Sequence, residues 1–289
     1  MGNMVTAVSF LLSKFKKIFN QFLDTIFHYQ NIKREKMHKS KNKKIALALG
    51  GGSVLGAVHV GVLKAFDEHH VKIKSISGTS AGAIVASLYA FGVSAKEIEK
   101  IVLGFEWKNL SSLTISKYGI LSNEKIGEML KRNIGEKNIE DAKIPLSMVA
   151  TDITTGEKVI LDKGSVADSV MATTCVPGIF VPIELGGRFL VDGGIVENIP
   201  LSCLKDKNVD YVIGVDLICE HAYKRPANVI EILYNSFNFL VKTNKRIQTK
   251  EADILIKPKL SHFNAIDMSQ MKDLIKIGYD ETKKVIETF

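Results

Sequence analysis

An α/β sheet covered by helices on both faces is the fold this sequence predicts, and three observations lead to it. Short apolar runs at Ile45–Leu49, Leu146–Asp152 and Tyr211–Asp216 have the length and content of buried strands. Segments of helical spacing separate them, at residues 57–66, 83–90, 94–142, 169–175, 226–248 and 268–287. Glycine-rich turns, Gly50–Gly56 and Gly78–Gly82, join a strand to a helix at two points. Of the 289 residues, 46% are hydrophobic, enough for a sizeable core and too many for a disordered chain.

The first 44 residues differ from the rest. Val8, Leu12, Phe15, Phe19, Phe22 and Ile26 recur at alternating spacings of four and three, which predicts an amphipathic helix over residues 5–29. Lys14, Lys17, Gln21, Asp24 and His28 take its other faces, and a lysine-rich stretch, Lys33–Lys44, follows. Residues 1–44 hold ten basic groups and two acids, so the whole net charge of +8 sits on this arm and the remaining residues balance. A Phe/Leu face beside lysines suits an anionic membrane surface. Docking on the chain's own domain and a short dimerising coil are the competing readings. Nucleic acid is not expected, because Lys33–Lys44 lacks interleaved aromatics and the domain beyond is neutral. The opening Met1-Gly2-Asn3-Met4-Val5-Thr6 fits an N-myristoylation pattern, which matters only in a eukaryotic cell.

The Ile45–Leu49 strand runs into Gly50-Gly51-Gly52-Ser53-Val54-Leu55-Gly56 and then a helix. A glycine loop between strand and helix lets backbone N–H groups converge on an anion. The spacing fits a dinucleotide fingerprint poorly, and no Gly-Lys-[Ser/Thr] follows to make a P-loop. An oxyanion hole is the remaining use. Its partner would be the next turn. Val71–Ser77 alternates as a strand, Gly78-Thr79-Ser80-Ala81-Gly82 follows, and Ala83–Ala90 is small and apolar enough for a buried helix. Strand, G-x-S-x-G and helix form the context of a nucleophile elbow, with Ser80 at its tip. An ordinary tight turn is the plainer alternative.

Further on, Ser94 with Glu97 predicts a capping box. Phe105, Trp107 and Leu110 are assigned to the core rather than to an acyl groove, and His59 to helix packing. Ser122-Asn123-Glu124 opens a helix to about Asn133, and Lys158–Leu161 pairs with Leu146–Asp152 across Thr155-Gly156. Residues 180–185 and 188–191 form a hairpin around Gly186-Gly187. Its second strand ends in Asp192-Gly193-Gly194, which presents a carboxylate on a tight loop. Asp253–Ile256 is a further strand. Cys175, Cys203 and Cys219 are an odd set without C-x-x-C spacing, which predicts neither a disulfide framework nor a zinc site and fits a reducing compartment. No uncharged apolar run reaches 18 residues, so no membrane span is expected, nor does the start read as a signal peptide.

With these residues in view, the chain resembles the patatin-like phospholipase family, especially its small bacterial members. The resemblance covers about residues 45–285. It rests on Ile45–Gly50 and the glycine loop through His59-Val60-Gly61-Val62-Leu63, on Gly78–Ala83, on Cys175-Val176-Pro177-Gly178-Ile179-Phe180, and on Val191-Asp192-Gly193-Gly194. Charge and periodicity set off a basic amphipathic arm, residues 1–44, and the resemblance implies, for residues 45–289, a hydrolase domain folded as a three-layer α/β/α sandwich with a mostly parallel central sheet. It also implies lipid acyl hydrolysis by a Ser80–Asp192 dyad without histidine, cofactor or metal. Gly51, Gly52, Ser53 and Ala81 would supply oxyanion N–H groups, with Gly56, Gly78, Gly82, Gly193 and Gly194 as motif glycines. The substrate would be a phospholipid or another acyl lipid, and the site of action cytoplasmic and peripheral to a membrane. One position departs from the family pattern. Leu55 stands where the loop usually carries a cation, which leaves open how the loop is ordered. A Ser–His–Asp esterase is the alternative enzyme, with His221 or His262 as its histidine. A catalytically weak membrane-binding protein on the same scaffold is the other.

Overall fold

The computed structural model describes residues 43–289, except 115, 205–207, 219–224 and 249–250. The expected arm helix of residues 5–29 lies outside the described residues, as do Cys219 and His221.

In the first half, β1 (Lys44–Leu49), α1 (Val58–Glu68), β2 (Lys72–Gly78) and α2 (Ala81–Ala90) form two successive strand–helix units. Next come α3 (Ala95–Leu103) and the one-turn α4 (Trp107–Leu110). A two-stranded ribbon follows, β3 (Ser112–Leu113) with β4 (Leu121–Ser122), and then α5 (Glu124–Ile134). The second half runs β5 (Leu146–Asp152), β6 (Lys158–Leu161), α6 (Val166–Thr173), β7 (Ile183–Leu185), β8 (Arg188–Asp192) and β9 (Tyr211–Val215). It closes with α7 (Val229–Gln248), β10 (Ile254–Ile256) and α8 (Met271–Ile286). The capping box forms as expected: Glu97 N–H donates to Ser94 Oγ at 3.3 Å, and Ser94 N–H to the Glu97 carboxylate at 3.0 Å. Periodicity does not predict the ribbon β3–β4, because two residues per strand are too few to give a signal.

The main sheet has the order β10-β9-β1-β2-β5-β8-β7, with β6 also on β5. The pairs from β10 to β5 are parallel, and β6, β7 and β8 add an antiparallel edge. The mostly parallel α/β sheet is therefore the architecture found. Ile45–Leu49 of β1 are all fully buried, as a strand covered on both faces requires. The chain proceeds from β1 outward to β2 and β5, then returns to the other side of β1 for β9 and β10. Strand order reverses beside β1. Ligands in open α/β sheets bind outside the carboxyl ends of the strands at such a point, and both glycine turns leave carboxyl ends there, from β1 and β2.

Helices α1 and α8 lie against each other at backbone contact. A Cβ on Gly61 would fall 1.9 Å from the Ile275 carbonyl oxygen, and one on Gly278 would fall 2.1 Å from that of Val58. Any side chain at either position would push the helices apart. Leu63 and Phe66 of α1 are fully buried, and such burial stabilises by about 1.5–3 kcal/mol per side chain.

Candidate active site

The elbow is built from local sterics. Ser80 has φ 53° and ψ −125°, a left-handed backbone that costs a non-glycine residue on the order of 1–3 kcal/mol. The glycines beside it are required by close approach. A Cβ on Gly78 would lie 2.5 Å from Ala83 Cα, and one on Gly82 2.1 Å from the Leu49 carbonyl oxygen. Surrounding bonds hold the strained turn. Thr79 N–H donates to Leu49 O at 3.1 Å, Thr79 Oγ1 to Glu197 O at 3.1 Å, and Ser77 Oγ to Pro200 O at 2.8 Å. The Ser80 N–H donates to Thr173 Oγ1 at 3.0 Å, and Thr173 in turn donates to Val149 O on β5. The Ala81 N–H, at the start of α2, has no acceptor among the described residues.

Asp192 ends β8 opposite Ala150 of β5 and is fully buried. Its backbone is fixed on both sides: its N–H donates to Cys175 O at 2.8 Å, and its carbonyl accepts from Thr151 Oγ1 at 2.9 Å. Carboxylate Oδ1 accepts the Gly194 N–H at 2.8 Å. A Cβ on Gly193 would fall 2.1 Å from Val149 O, so the loop fits only as glycine. Burial pushes the Asp192 carboxyl up to about 7, offset in part by the Ser80 side chain and the Gly194 N–H. Oδ2 makes no closed hydrogen bond among the described residues. The Ser80 side chain is nonetheless near enough to lower the carboxyl's pKa.

The glycine loop is ordered without a cation at position 55. Gly50 N–H donates to Val215 O at 3.2 Å, Val54 N–H to Ala265 O at 3.1 Å, and Asn198 Nδ2 to Gly51 O at 3.3 Å. Leu55 is buried and faces the cavity. His59 does more than pack: Nε2–H donates to the Gly50 carbonyl at 2.7 Å, with Nδ1 unbonded among the described residues. Full burial lowers its pKa to about 4, so the ring is neutral. The Gly51 N–H, expected among the oxyanion donors, is engaged with Asn198 O at 3.2 Å. Those of Gly52 and Ser53 have no acceptor among the described residues. Ser53 too has a left-handed backbone, φ 53°.

Ser80, Asp192 and residues Gly51–Ala57 open onto one cavity of about 710 Å³, lined mainly by apolar side chains. Phe105, Trp107 and Leu110 all border it; Leu110 is buried in the main core and Phe105 packs against that core, as expected, whereas Trp107 is 41% exposed, which corrects its assignment alone. The α7 side chains Tyr234, Phe237 and Val241 line it as well. Helical periodicity marks α7 as a helix but cannot say what its apolar face covers. Sequence reasoning also misses Thr173 and Asn198 as positioning groups; the only signal is their closeness in sequence to the Cys175 and Asp192 motifs. His262 lines the cavity, yet no histidine is bonded to Asp192 among the described residues. Cys175 is no rival nucleophile. Burial, with the Asp192 charge nearby, pushes its thiol up to about 12.

Comparison with known proteins gives the family. The sequence pattern of the patatin-like phospholipase family matches residues 47–204. An uncharacterized NTE family protein of Mycobacterium bovis is 34% identical over 181 residues, covering 62% of this chain and 50% of that one. Lysophospholipase NTE1 of Meyerozyma guilliermondii is 32% identical over 183 residues, 61% of this chain and 13% of that protein. The chain thus spans about half the length of the mycobacterial relative and far less of the yeast one. Among solved structures, VipD from Legionella pneumophila shares the fold, with a TM-score of 0.58 at 16% identity over 86% of this chain and 67% of its own.

Proposed function

The chain belongs to the patatin-like phospholipase family, and from that premise we propose that it is a serine hydrolase that cleaves carboxylic esters of phospholipids or lysophospholipids. Ser80 Oγ attacks the ester carbonyl while Asp192 Oδ2 takes its proton. The carbonyl oxygen becomes an oxyanion held by the N–H groups of Gly52, Ser53 and Ala81. Collapse expels the alcohol or lysolipid, which receives the proton from Asp192. Water, deprotonated by the same carboxylate, then attacks the acyl-serine, releases the fatty acid and restores Ser80. Gly51 contributes through its tie to Asn198 instead of as a donor.

A single observation carries the reading: a serine on a strained turn faces a buried carboxyl whose pKa lies near 7, at an apolar cavity large enough for an acyl chain. A carboxylate near 7 is a stronger base than one at the ordinary 3.8, which answers the weakness of aspartate as a proton acceptor. The name of the yeast relative favours lysophospholipids. Residues 1–44 act in this scheme as a basic arm on an anionic membrane surface, and residues 45–289 as the hydrolase domain. The protein then works peripherally at the membrane. Among the described residues no helix is long and apolar enough to cross one.

The test is hydrolysis of phospholipid and lysophospholipid by the wild type, Ser80→Ala, Asp192→Asn, His262→Ala and a chain lacking residues 1–40. Loss of at least a thousandfold is expected for the first two variants, and little change for His262→Ala. Full activity in both Ser80→Ala and Asp192→Asn sinks the dyad. Unchanged vesicle binding by the shortened chain sinks the arm's role.

A further inference from the structure

We propose that the outer face of α7, with the rim of the cavity beside it, is a docking surface for an anionic phospholipid bilayer, separate from the arm. The inference rests on the lipid-hydrolase reading for its purpose but not for its evidence. Val229, Ile232 and Leu240 follow one another at helical spacing on the side of α7 away from the cavity, and they are 58%, 51% and 54% exposed. The opposite side of the same helix lines the cavity through Tyr234, Phe237 and Val241. A helix apolar on both faces is not the pattern of a water-facing surface helix.

The charges name the occupant. Glu231 is the helix's one acid, and its carboxylate is occupied in capping, accepting from Ala227 N–H at 2.8 Å and Asn228 Nδ2 at 3.4 Å. Lys242 follows toward its end, and Arg225, exposed at the cavity, precedes its start. An exposed apolar stripe flanked by cations is the signature of an interfacial helix on anionic lipid. The rim continues the stripe. Trp107, Ile230 and Ile266 are 41%, 39% and 39% exposed at the cavity, and the indole N–H donates to Ile266 O at 3.0 Å. A tryptophan so placed, with an apolar body and a bonded polar edge, suits the lipid–water boundary. A second copy of the chain seated here would cover the cavity's rim; a bilayer would instead bring acyl chains to it without passing them through water.

Trp107 is the chain's one tryptophan, so its emission reports on the rim and not on the arm. The experiment uses the full chain carrying Ser80→Ala, titrated with phosphatidylglycerol–phosphatidylcholine vesicles containing brominated lipid. A blue shift and quenching of Trp107 are expected, and both should be lost, with vesicle affinity down at least tenfold, when Ile232→Asp and Leu240→Asp are added. In the chain with Ser80 intact, the same pair of substitutions should slow hydrolysis of vesicle lipid at least tenfold and leave a soluble short-chain ester within twofold. That ester rate also shows that the variant folds. Sedimentation with vesicles while Trp107 emission stays unchanged overturns the proposal, because the arm alone would then bind. Quenching that survives both substitutions overturns it as well, as does a pair that only converts a dimer to a monomer. A chain that cleaves no ester but loses quenching on substitution keeps the docking surface and removes the hydrolase.

Discussion

Thr173 Oγ1 receives the Ser80 N–H at 3.0 Å while its own hydrogen goes to Val149 O, so one hydroxyl couples the strained Ser80 turn to the middle of β5. The same strand pairs with β8, which carries Asp192. Serine and acid are therefore referred to one rigid strand, a better basis for their alignment than either loop alone.

Removing that hydroxyl tests the coupling. Thr173→Val should lower kcat roughly 10- to 100-fold with KM little changed, since a small misplacement of a reacting group costs about that much. Two buried groups also lose their partner, a cost of about 1–3 kcal/mol in stability. Thr173→Ser should restore most of both. Equal loss in the two variants would mean that the methyl group, through packing, matters more than the hydroxyl.

The rate should follow ionisation of Asp192. With its carboxyl at about 7, kcat/KM for a soluble ester should fall about tenfold per pH unit below that point and level off above about pH 8. A monomeric substrate keeps membrane charge out of the measurement. A profile flat from pH 5 to 8 would remove Asp192 as the base.

The same carboxyl has a stability consequence of opposite value to the protein. Between its ordinary 3.8 and about 7, the folded state holds a proton that the unfolded state has released. Stability therefore falls as pH rises through that window and is level above it. Asp192→Asn removes the dependence. Against the wild type it should gain on the order of 4 kcal/mol at pH 8, since the shift from 3.8 to about 7 is roughly three tenfold changes in proton affinity, each worth about 1.4 kcal/mol, and is already net of the Gly194 contact. Near pH 4 it should gain nothing. Thermal melts of the two proteins across pH decide this.

His59 works in the other direction. Its pKa falls from 6.5 to about 4 on folding, so the unfolded chain binds the extra proton and stability drops as pH falls through that window. His59→Gln keeps a donor for Gly50 O and should remove this acid-side drop relative to the wild type. His59→Leu leaves that carbonyl without its ring partner, a cost of about 1–3 kcal/mol, and should slow ester cleavage more than His59→Gln does. Comparable rates in both variants would show that the ring only fills space.

What can be read from the sequence is whatever the chain writes locally. Strands β1, β5 and β9 announce themselves by apolar runs, β2 by alternation, and Gly78–Gly82 by glycines whose missing side chains the turn requires. The Asp192 turn is as compact. Relationships across the chain are not legible. Nothing near residue 51 indicates that its N–H meets a carbonyl 147 residues later, at Asn198. A place in the core is the natural expectation for Trp107, because an aromatic residue in a helical segment is buried more often than not; only the fold shows that it borders a cavity. Helix α7 is recognisable, but the cavity on one side of it and water on the other depend on long-range packing that periodicity does not encode.

The glycine contact between α1 and α8 bears on when the protein can become active. Helix α1 leads directly out of the loop that would hold the oxyanion, and its Gly61 is sealed against Ile275, more than two hundred residues later in synthesis. On the ribosome the Ser80 turn is made about two hundred residues before the element that fixes the loop opposite it. Until then α1 exposes the apolar side that α8 will cover, and the two halves of the site have no common frame. A nascent chain of this kind would carry its serine through all the intervening synthesis without the means to use it.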